Sequence, residues 1–193
     1  NTIEPGSTMK TFTVAAAMEE NKWDPNAWYQ SGKYKLLGDT IRDHNLKGWG
    51  SITYLEGFQR SSNVAMAYLL ERLGDKAFLE YLDKFGFGQK TGIDLPNEAS
   101  GKIINTWPLD RLVSTFGQGS TVTPMQLIQA ETAIANDGVM MKPYVIEKIV
   151  NPSTNKVMHD SKPSEAGKPI SAETAKQMRE LPASTVTSEN RTA

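Results

Sequence analysis

At 193 residues, with 38% hydrophobic and 22% charged side chains, the sequence has the makeup of a folded globular protein: one domain with a real core, or most of a larger one. Its 21 basic and 22 acidic side chains leave a net charge of -1, which gives no electrostatic basis for binding nucleic acid. Zero cysteines exclude disulfides, thiol catalysis and cysteine-ligated metals, and two histidines (His44 and His159) poorly supply a Ser-His-Asp triad or a His-rich metal site.

The first predicted element opens at Glu4-Pro5-Gly6-Ser7-Thr8-Met9-Lys10. Pro5 and Gly6 bend the chain sharply. Beyond them Met9, Phe12, Thr13, Ala16 and Ala17 recur at helical spacing, one buried stripe on a helix running to about Glu20. Ser7 then lies at the helix N-terminus, where unpaired N–H groups and the dipole favour negative charge. Lys10, three residues on, points to the same face. A hydroxyl becomes a nucleophile beside a base, and an amine can be that base only if burial keeps it neutral. Taken alone, the pair also reads as a helix cap beside a solvated lysine. The same spacing recurs at Ser153 and Lys156, inside the turn cluster Asn151-Pro152-Ser153-Thr154-Asn155, and there it reads as loop.

Asn21 to Gly50 reads as mostly loop, punctuated by Asp24-Pro25-Asn26, Ser31-Gly32 and Lys47-Gly48-Trp49-Gly50, with Trp23, Trp28, Tyr29 and Tyr34 pinning it to the core. A short helix over about Thr53 to Arg60 leads into Ser61-Ser62-Asn63 and a second helix with Met66, Leu69, Leu70 and Leu73 on one stripe. Gly74 ends it, and Asp75 caps a third helix that buries Phe78, Leu82 and Phe85. Ser61 and Asn63 thus stand in a tight link between helices. They read either as caps or as a hydroxyl and amide that relay a proton and hold a substrate amide. Ser188-Glu189-Asn190 repeats that spacing in a polar run near the chain end and is discounted.

Gly86 through Gly101 reads as loop, and Gly86-Phe87-Gly88 lacks the spacing of a phosphate cradle. Phe116-Gly117-Gln118-Gly119-Ser120 precedes a helix capped by Thr123, with Pro124 in its first turn, Gln126 completing a capping box, and Asn136-Asp137-Gly138 as its stop. Pro143 to Val150 predicts a strand that Lys156-Val157-Met158-His159 can pair with. A last helix spans Ala172 to Leu181, interrupted by Pro182, and Ala183 to Ala193 has little to bury. No apolar run approaches the roughly 18 residues of a membrane span.

In that order and setting, Glu4 to Lys10, Ser61-Ser62-Asn63, Phe116-Gly117-Gln118-Gly119 and Thr121-Val122-Thr123-Pro124 resemble the transpeptidase domain of penicillin-binding proteins, nearest the monofunctional class B type of Gram-positive bacteria. Ala133-Ile134-Ala135-Asn136-Asp137-Gly138 and Lys142-Pro143 extend the likeness along nearly the whole chain. The resemblance implies an α/β (α+β) fold of the penicillin-binding-protein and serine β-lactamase type, here mostly its helical portion plus a β-hairpin of the central sheet. It implies Ser7 as the acylated nucleophile, Lys10 as its neutral general base, Ser61 as proton relay and Asn63 as a substrate hydrogen-bond partner. It also places Ser62 and Gln118 among substrate-binding residues. The reaction implied is D,D-transpeptidation of peptidoglycan stem peptides ending in D-Ala-D-Ala, with β-lactams acylating the same serine and no metal or cofactor. A β-lactam sensor domain and a serine β-lactamase are the rival readings.

Lys90-Thr91-Gly92 spells this family's third motif, yet it precedes the Phe-Gly-Gln-Gly segment and sits in a Gly-rich loop. The expectation is that the true motif lies beyond Ala193. On that reading residues 1–193 are a partial transpeptidase domain, without membrane anchor, N-terminal module or the remaining sheet, and inactive alone. The remainder of the same protein and divisome or elongation proteins would be its partners, at the extracytoplasmic face of the cell membrane.

Overall fold

In the computed structural model, which describes residues 1–187 and residue 189, a 3-10 turn (Gly6–Thr8) runs directly into helix α1 (Met9–Glu19). The predicted stripe of α1 is buried, and so are Val14, Ala15 and Met18. A helix apolar on every side belongs in the middle of a core, and α1 packs against three other helices. Phe12 anchors it, its ring centroid 5.1 Å from Phe85 and 5.2 Å from Phe87.

The segment expected to be loop instead contains four short strands: β1 (Trp28–Gln30), β2 (Lys33–Leu36), β3 (Asp39–Arg42) and β4 (Ser51–Thr53). β1 pairs antiparallel with β4, Tyr29 opposite Ile52, and β2 pairs with β3. The β2–β3 hairpin turns on Leu37 and Gly38, at φ 48° and 96°. Two positive φ values are those of a type I′ turn, usually spelled Asn-Gly, and a leucine there hides the hairpin from a reader of sequence. The aromatic expectation holds for Tyr29, which is buried against Tyr54 and Tyr68, while Trp28 stays exposed.

Helix α2 (Tyr54–Gln59) starts at Thr53, whose hydroxyl accepts from the Glu56 N–H. Ser62 caps α3 (Asn63–Leu73), and Gly74 separates α3 from α4 (Asp75–Lys84). The loop expected from Gly86 to Gly101 forms and runs on to Trp107, followed by α5 (Pro108–Ser114) and then α6 (Pro124–Ala135), whose Thr123–Gln126 capping box forms as the spelling predicts. Strand β5 (Met140–Met141) pairs with β8 (Glu165–Gly167), and β6 (Lys148–Val150) pairs with β7 (Val157–Asp160).

Two expectations fail here for identifiable reasons. The strand predicted from Pro143 to Val150 shortens to its last three residues because the Asp94 carboxylate takes the Val145 and Ile146 N–H groups, each at 2.8 Å. The expected pairing with residues 156–159 does form: among the described residues the β6–β7 hairpin is a two-stranded sheet, exposed at every position. The last helix, α7 (Ala172–Thr187), continues through Pro182. A proline removes one intrahelical bond, and tertiary contact holds the far side: Gln59 donates to the Ser184 hydroxyl at 3.2 Å. Ser184 in turn donates to the Leu181 carbonyl. The discounted Ser188 and Asn190 lie outside the described residues. Among the described residues, no helix is long and apolar enough to cross a membrane.

Candidate active site

The α1 turn and the α2–α3 link meet at one point. The Lys10 amine donates to the Ser7 hydroxyl at 3.2 Å, to the Ser61 hydroxyl at 2.9 Å and to the Ser61 carbonyl at 2.6 Å. Ser61 Oγ donates to Ser7 Oγ at 3.0 Å. Residues 54 positions apart in the chain therefore close a triangle of two hydroxyls and one amine.

Each corner is held for a local reason. Lys10 lies on the first turn of the buried helix, and the residue is only 3% exposed. Ser61 is in the left-handed region at φ 54°, a conformation that costs a non-glycine residue about 1 kcal/mol. Its neighbours impose it. Ser61 N–H donates to Phe58 and Ser62 N–H to Gly57, ending α2, while the Ser62 hydroxyl accepts from Ala65 N–H and starts α3.

The Gly117–Gly119 loop backs the nucleophile turn. Gly6 N–H donates to the Gly117 carbonyl at 3.0 Å, and the Glu4 carboxylate accepts from Gly119 N–H at 3.0 Å. Gly117 has φ 82°, and a Cβ there would sit 2.0 Å from the Gly6 oxygen. Only glycine allows this approach. That explains why a glycine-rich stretch stands so far down the chain from the serine it supports.

Burial lowers the Lys10 amine from 10.5 to about 8, with the Asp43 carboxylate pulling the other way. Roughly one molecule in ten is then neutral near pH 7, where an ordinary lysine is almost wholly charged. The neutral amine fits the triangle without conflict. When charged, the amine donates to all three oxygens; loss of the proton shared with Ser7 leaves two N–H bonds on the Ser61 oxygens and turns the freed lone pair toward the Ser7 hydroxyl, while Ser61 O–H still donates to Ser7 Oγ.

The other residues singled out in the sequence lie as follows. Asn63 is part-buried at the start of α3, its amide donating to the Arg42 carbonyl at 3.3 Å. Gln118 is exposed, between the two glycines that touch Gly6 and Glu4. Ser62, expected to bind substrate, is fully buried, and its hydroxyl is consumed by the α3 cap and by Asp43 at 2.7 Å. That expectation is corrected: Ser62 holds the link from below. Lys90-Thr91-Gly92 lies in a loop where Glu98 takes the Thr91 and Gly92 N–H groups, as its position in the sequence predicts.

Asp43 was not singled out in the sequence. It is 1% exposed and bonded to Ser62, Val64 and Gly32. Asp43-His44-Asn45 reads as turn chemistry, and nothing local marks the carboxylate as buried.

The family model for the penicillin-binding protein transpeptidase domain matches residues 1–193. Stage V sporulation protein D of Bacillus subtilis is 39% identical over 184 residues, which cover 93% of this chain and 28% of that protein. Penicillin-binding protein 2X of Streptococcus thermophilus superposes with a TM-score of 0.88 at 34% identity, covering 94% of this chain and 27% of that one. Penicillin-binding protein 3 of Mycobacterium tuberculosis, solved in complex with ampicillin, gives 0.86 at 30% identity, covering 98% of this chain and 42% of that one. The chain thus spans little more than a quarter of the first of these relatives, at 28% of its length.

Proposed function

This chain belongs to the penicillin-binding protein transpeptidase family, and on that footing we propose that its triangle of Ser7, Lys10 and Ser61 performs acyl transfer on peptidoglycan stem peptides. The observation that carries the reading is a buried amine, lowered to about 8, in hydrogen-bond reach of both hydroxyls. Lys10 takes the Ser7 proton as Ser7 Oγ attacks the carbonyl of the penultimate D-alanine. The Ser7 N–H, at the open first turn, faces the developing oxyanion as one donor. The leaving amine of the last D-alanine needs a proton, which Ser61 Oγ supplies while Lys10 restores it. An amine from a neighbouring strand then attacks the Ser7 ester by the reverse route, giving a cross-link and freeing the serine.

The Asn63 amide exchanges its long bond to Arg42 for the substrate peptide, and Gln118 lines the same side. Residues 1–193 act as part of a transpeptidase domain, working at the extracytoplasmic face of the membrane with the remainder of the protein and with divisome or elongation proteins. β-Lactams, cyclic amides with the same reacting carbonyl, acylate Ser7.

The test is to expose the protein, at its full natural length, to a labelled penicillin and map the adduct by peptide mass. Label on the peptide containing Ser7, lost in Ser7→Ala, is the expected result. Label elsewhere, or undiminished in Ser7→Ala, overturns the reading.

A further inference from the structure

The triangle rests on a buried carboxylate that no part of the acyl-transfer chemistry uses. Asp43 follows β3, at the base of the β2–β3 hairpin. One oxygen accepts from Ser62 Oγ at 2.7 Å and from Val64 N–H at 3.1 Å; the other accepts from Gly32 N–H at 2.8 Å. Its own N–H returns to the Gly32 carbonyl at 3.3 Å. The hairpin base is itself fixed where Gly32 and Gly48 cross, since a Cβ on Gly48 would lie 2.4 Å from Gly32 Cα.

We propose that Asp43 is a positioning residue: it ties the Ser61–Asn63 link to the hairpin base, and so sets where the Ser61 hydroxyl and carbonyl meet the Lys10 amine. The inference rests on the acyl-transfer reading and deepens it. Two bonds from one oxygen fix Ser62 and Val64, the residues on the far side of Ser61 and Asn63. Ser61 has no freedom left. Its left-handed backbone is clamped by the end of α2 before it and by the Asp43-bound cap after it, and both of its oxygens are thereby aimed at Lys10. A cap of α3 alone would be satisfied by the Ser62 hydroxyl, which already accepts from Ala65 N–H. The carboxylate adds reach across to a different element, and negative charge beneath the triangle.

That charge makes the role separable from plain support. Asp43 favours the protonated form of Lys10, opposing the burial that lowers it. The groups facing this cluster from the packed elements are Lys10 on α1, Tyr29 on β1 and Glu56 on α2. Burial pushes the Tyr29 hydroxyl well above its ordinary range, so it stays neutral, and Glu56 is paired with Arg60. Removing the Asp43 charge therefore lowers Lys10 further. Acylation, which needs the neutral amine, then reaches its plateau at lower pH.

The experiment measures the second-order rate of acylation by labelled penicillin against pH, through the region around 8, for the full-length protein and for Asp43→Asn and Ser62→Ala. Asp43→Asn loses the charge and presents an amide where Gly32 N–H needs an acceptor. Its plateau is expected to fall on the order of a hundredfold, the scale of a misplaced catalytic group, and its midpoint to move to lower pH. Ser62→Ala cuts the bond to Asp43 and the cap bond from Ala65 N–H but keeps the charge, so its plateau falls while its midpoint stays. A fall in folded fraction with plateau rate per folded molecule and midpoint unchanged would show simple structural support and overturn the proposal. If Asp43→Asn does not fold, Ser62→Ala decides: a wild-type plateau overturns the proposal, and a reduced one upholds it. Absence of Ser7 acylation in the unsubstituted protein would instead sink the acyl-transfer reading itself, so the two failures are distinguishable.

Discussion

Two stretches of this chain carry serine and lysine three residues apart, and the molecule treats them in opposite ways. At Ser7 and Lys10 the lysine is enclosed between α1 and the α2–α3 link, donating to three oxygens. At Ser153 and Lys156, in the turn of the β6–β7 hairpin, both side chains are exposed. There Ser153 serves only as a turn residue, its N–H donating to the Asn151 side chain at 2.9 Å. Spelling brings the pair together in both places. Burial supplies the reactivity in one, because only a desolvated amine reaches a useful neutral fraction at working pH and only a fixed partner lets its lone pair reach the hydroxyl.

The most direct way to break the comparison is to remove each lysine. Lys10→Met keeps most of the buried volume and takes away the base. General-base catalysis contributes roughly 10²- to 10⁴-fold, so the rate of Ser7 acylation should drop by about three orders of magnitude. Lys156→Met should leave it unchanged. Stopped-flow or gel measurement of labelled-penicillin incorporation checks both, and comparable losses would show that the contrast in burial is not what matters.

Gly117→Ala tests whether the loop from residue 117 really holds the nucleophile turn. Its Cβ would enter the space of the Gly6 carbonyl, and the backbone sits at φ 82°, so something must move. Strain of this kind costs roughly 3 kcal/mol, with a lower melting temperature and slower acylation together. The same substitution at Gly38, which has positive φ but open space around it, should cost only about 1 kcal/mol.

The Lys10 environment also has a signature in stability. Its amine titrates near 8 in the folded chain and near 10.5 unfolded. Between those values the unfolded state binds more protons, so stability rises with pH across that window and is lowest, for this group, below it. The full rise is up to roughly 3 kcal/mol. Denaturant melts of wild type and Lys10→Met, compared at either end of the window, isolate it: the rise should vanish in Lys10→Met and persist in Lys156→Met. An equal rise in both variants would mean that other groups produce it.

How much of this was legible beforehand follows from the range of the interactions. Ser7, Lys10 and Ser61 declare themselves because helical spacing and a tight link fix them locally. The capping box at Thr123 and Gln126 is equally local, and it forms as read. What was missed arrives from a distance. Asp43 reaches Ser62 across 19 positions, and β1 meets β4 with residues 31–50 between them. Strands of three or four residues amid turn residues carry no periodic signal of their own. Asp94 shortens a strand from 51 positions away, and Gln59 steadies a helix beyond its proline from 125. Family resemblance supplied roles for the local residues and also misled at Ser62, whose place in a motif says nothing of which side of the backbone its hydroxyl takes.

The smallest effect sharpens the contrast from its other end. If the hairpin region is as uncommitted as its exposure suggests, substitution there should be nearly silent. Ile149 on β6 is 47% exposed, opposite His159 on β7. Ile149→Thr keeps a β-branched side chain, so strand preference is retained and only partial apolar burial is lost. The expected change is within about 0.5 kcal/mol, with no change in acylation. Phe12→Ala, in the buried core, should cost roughly 3 to 5 kcal/mol by the cavity it leaves against Phe85 and Phe87. Melting the full-length protein decides the matter. A loss above about 2 kcal/mol from Ile149→Thr is more than a half-exposed isoleucine can contribute. It would mean that the hairpin face is covered in the whole protein, and that the exposed lysine at position 156 lies beside an interface rather than in open solvent.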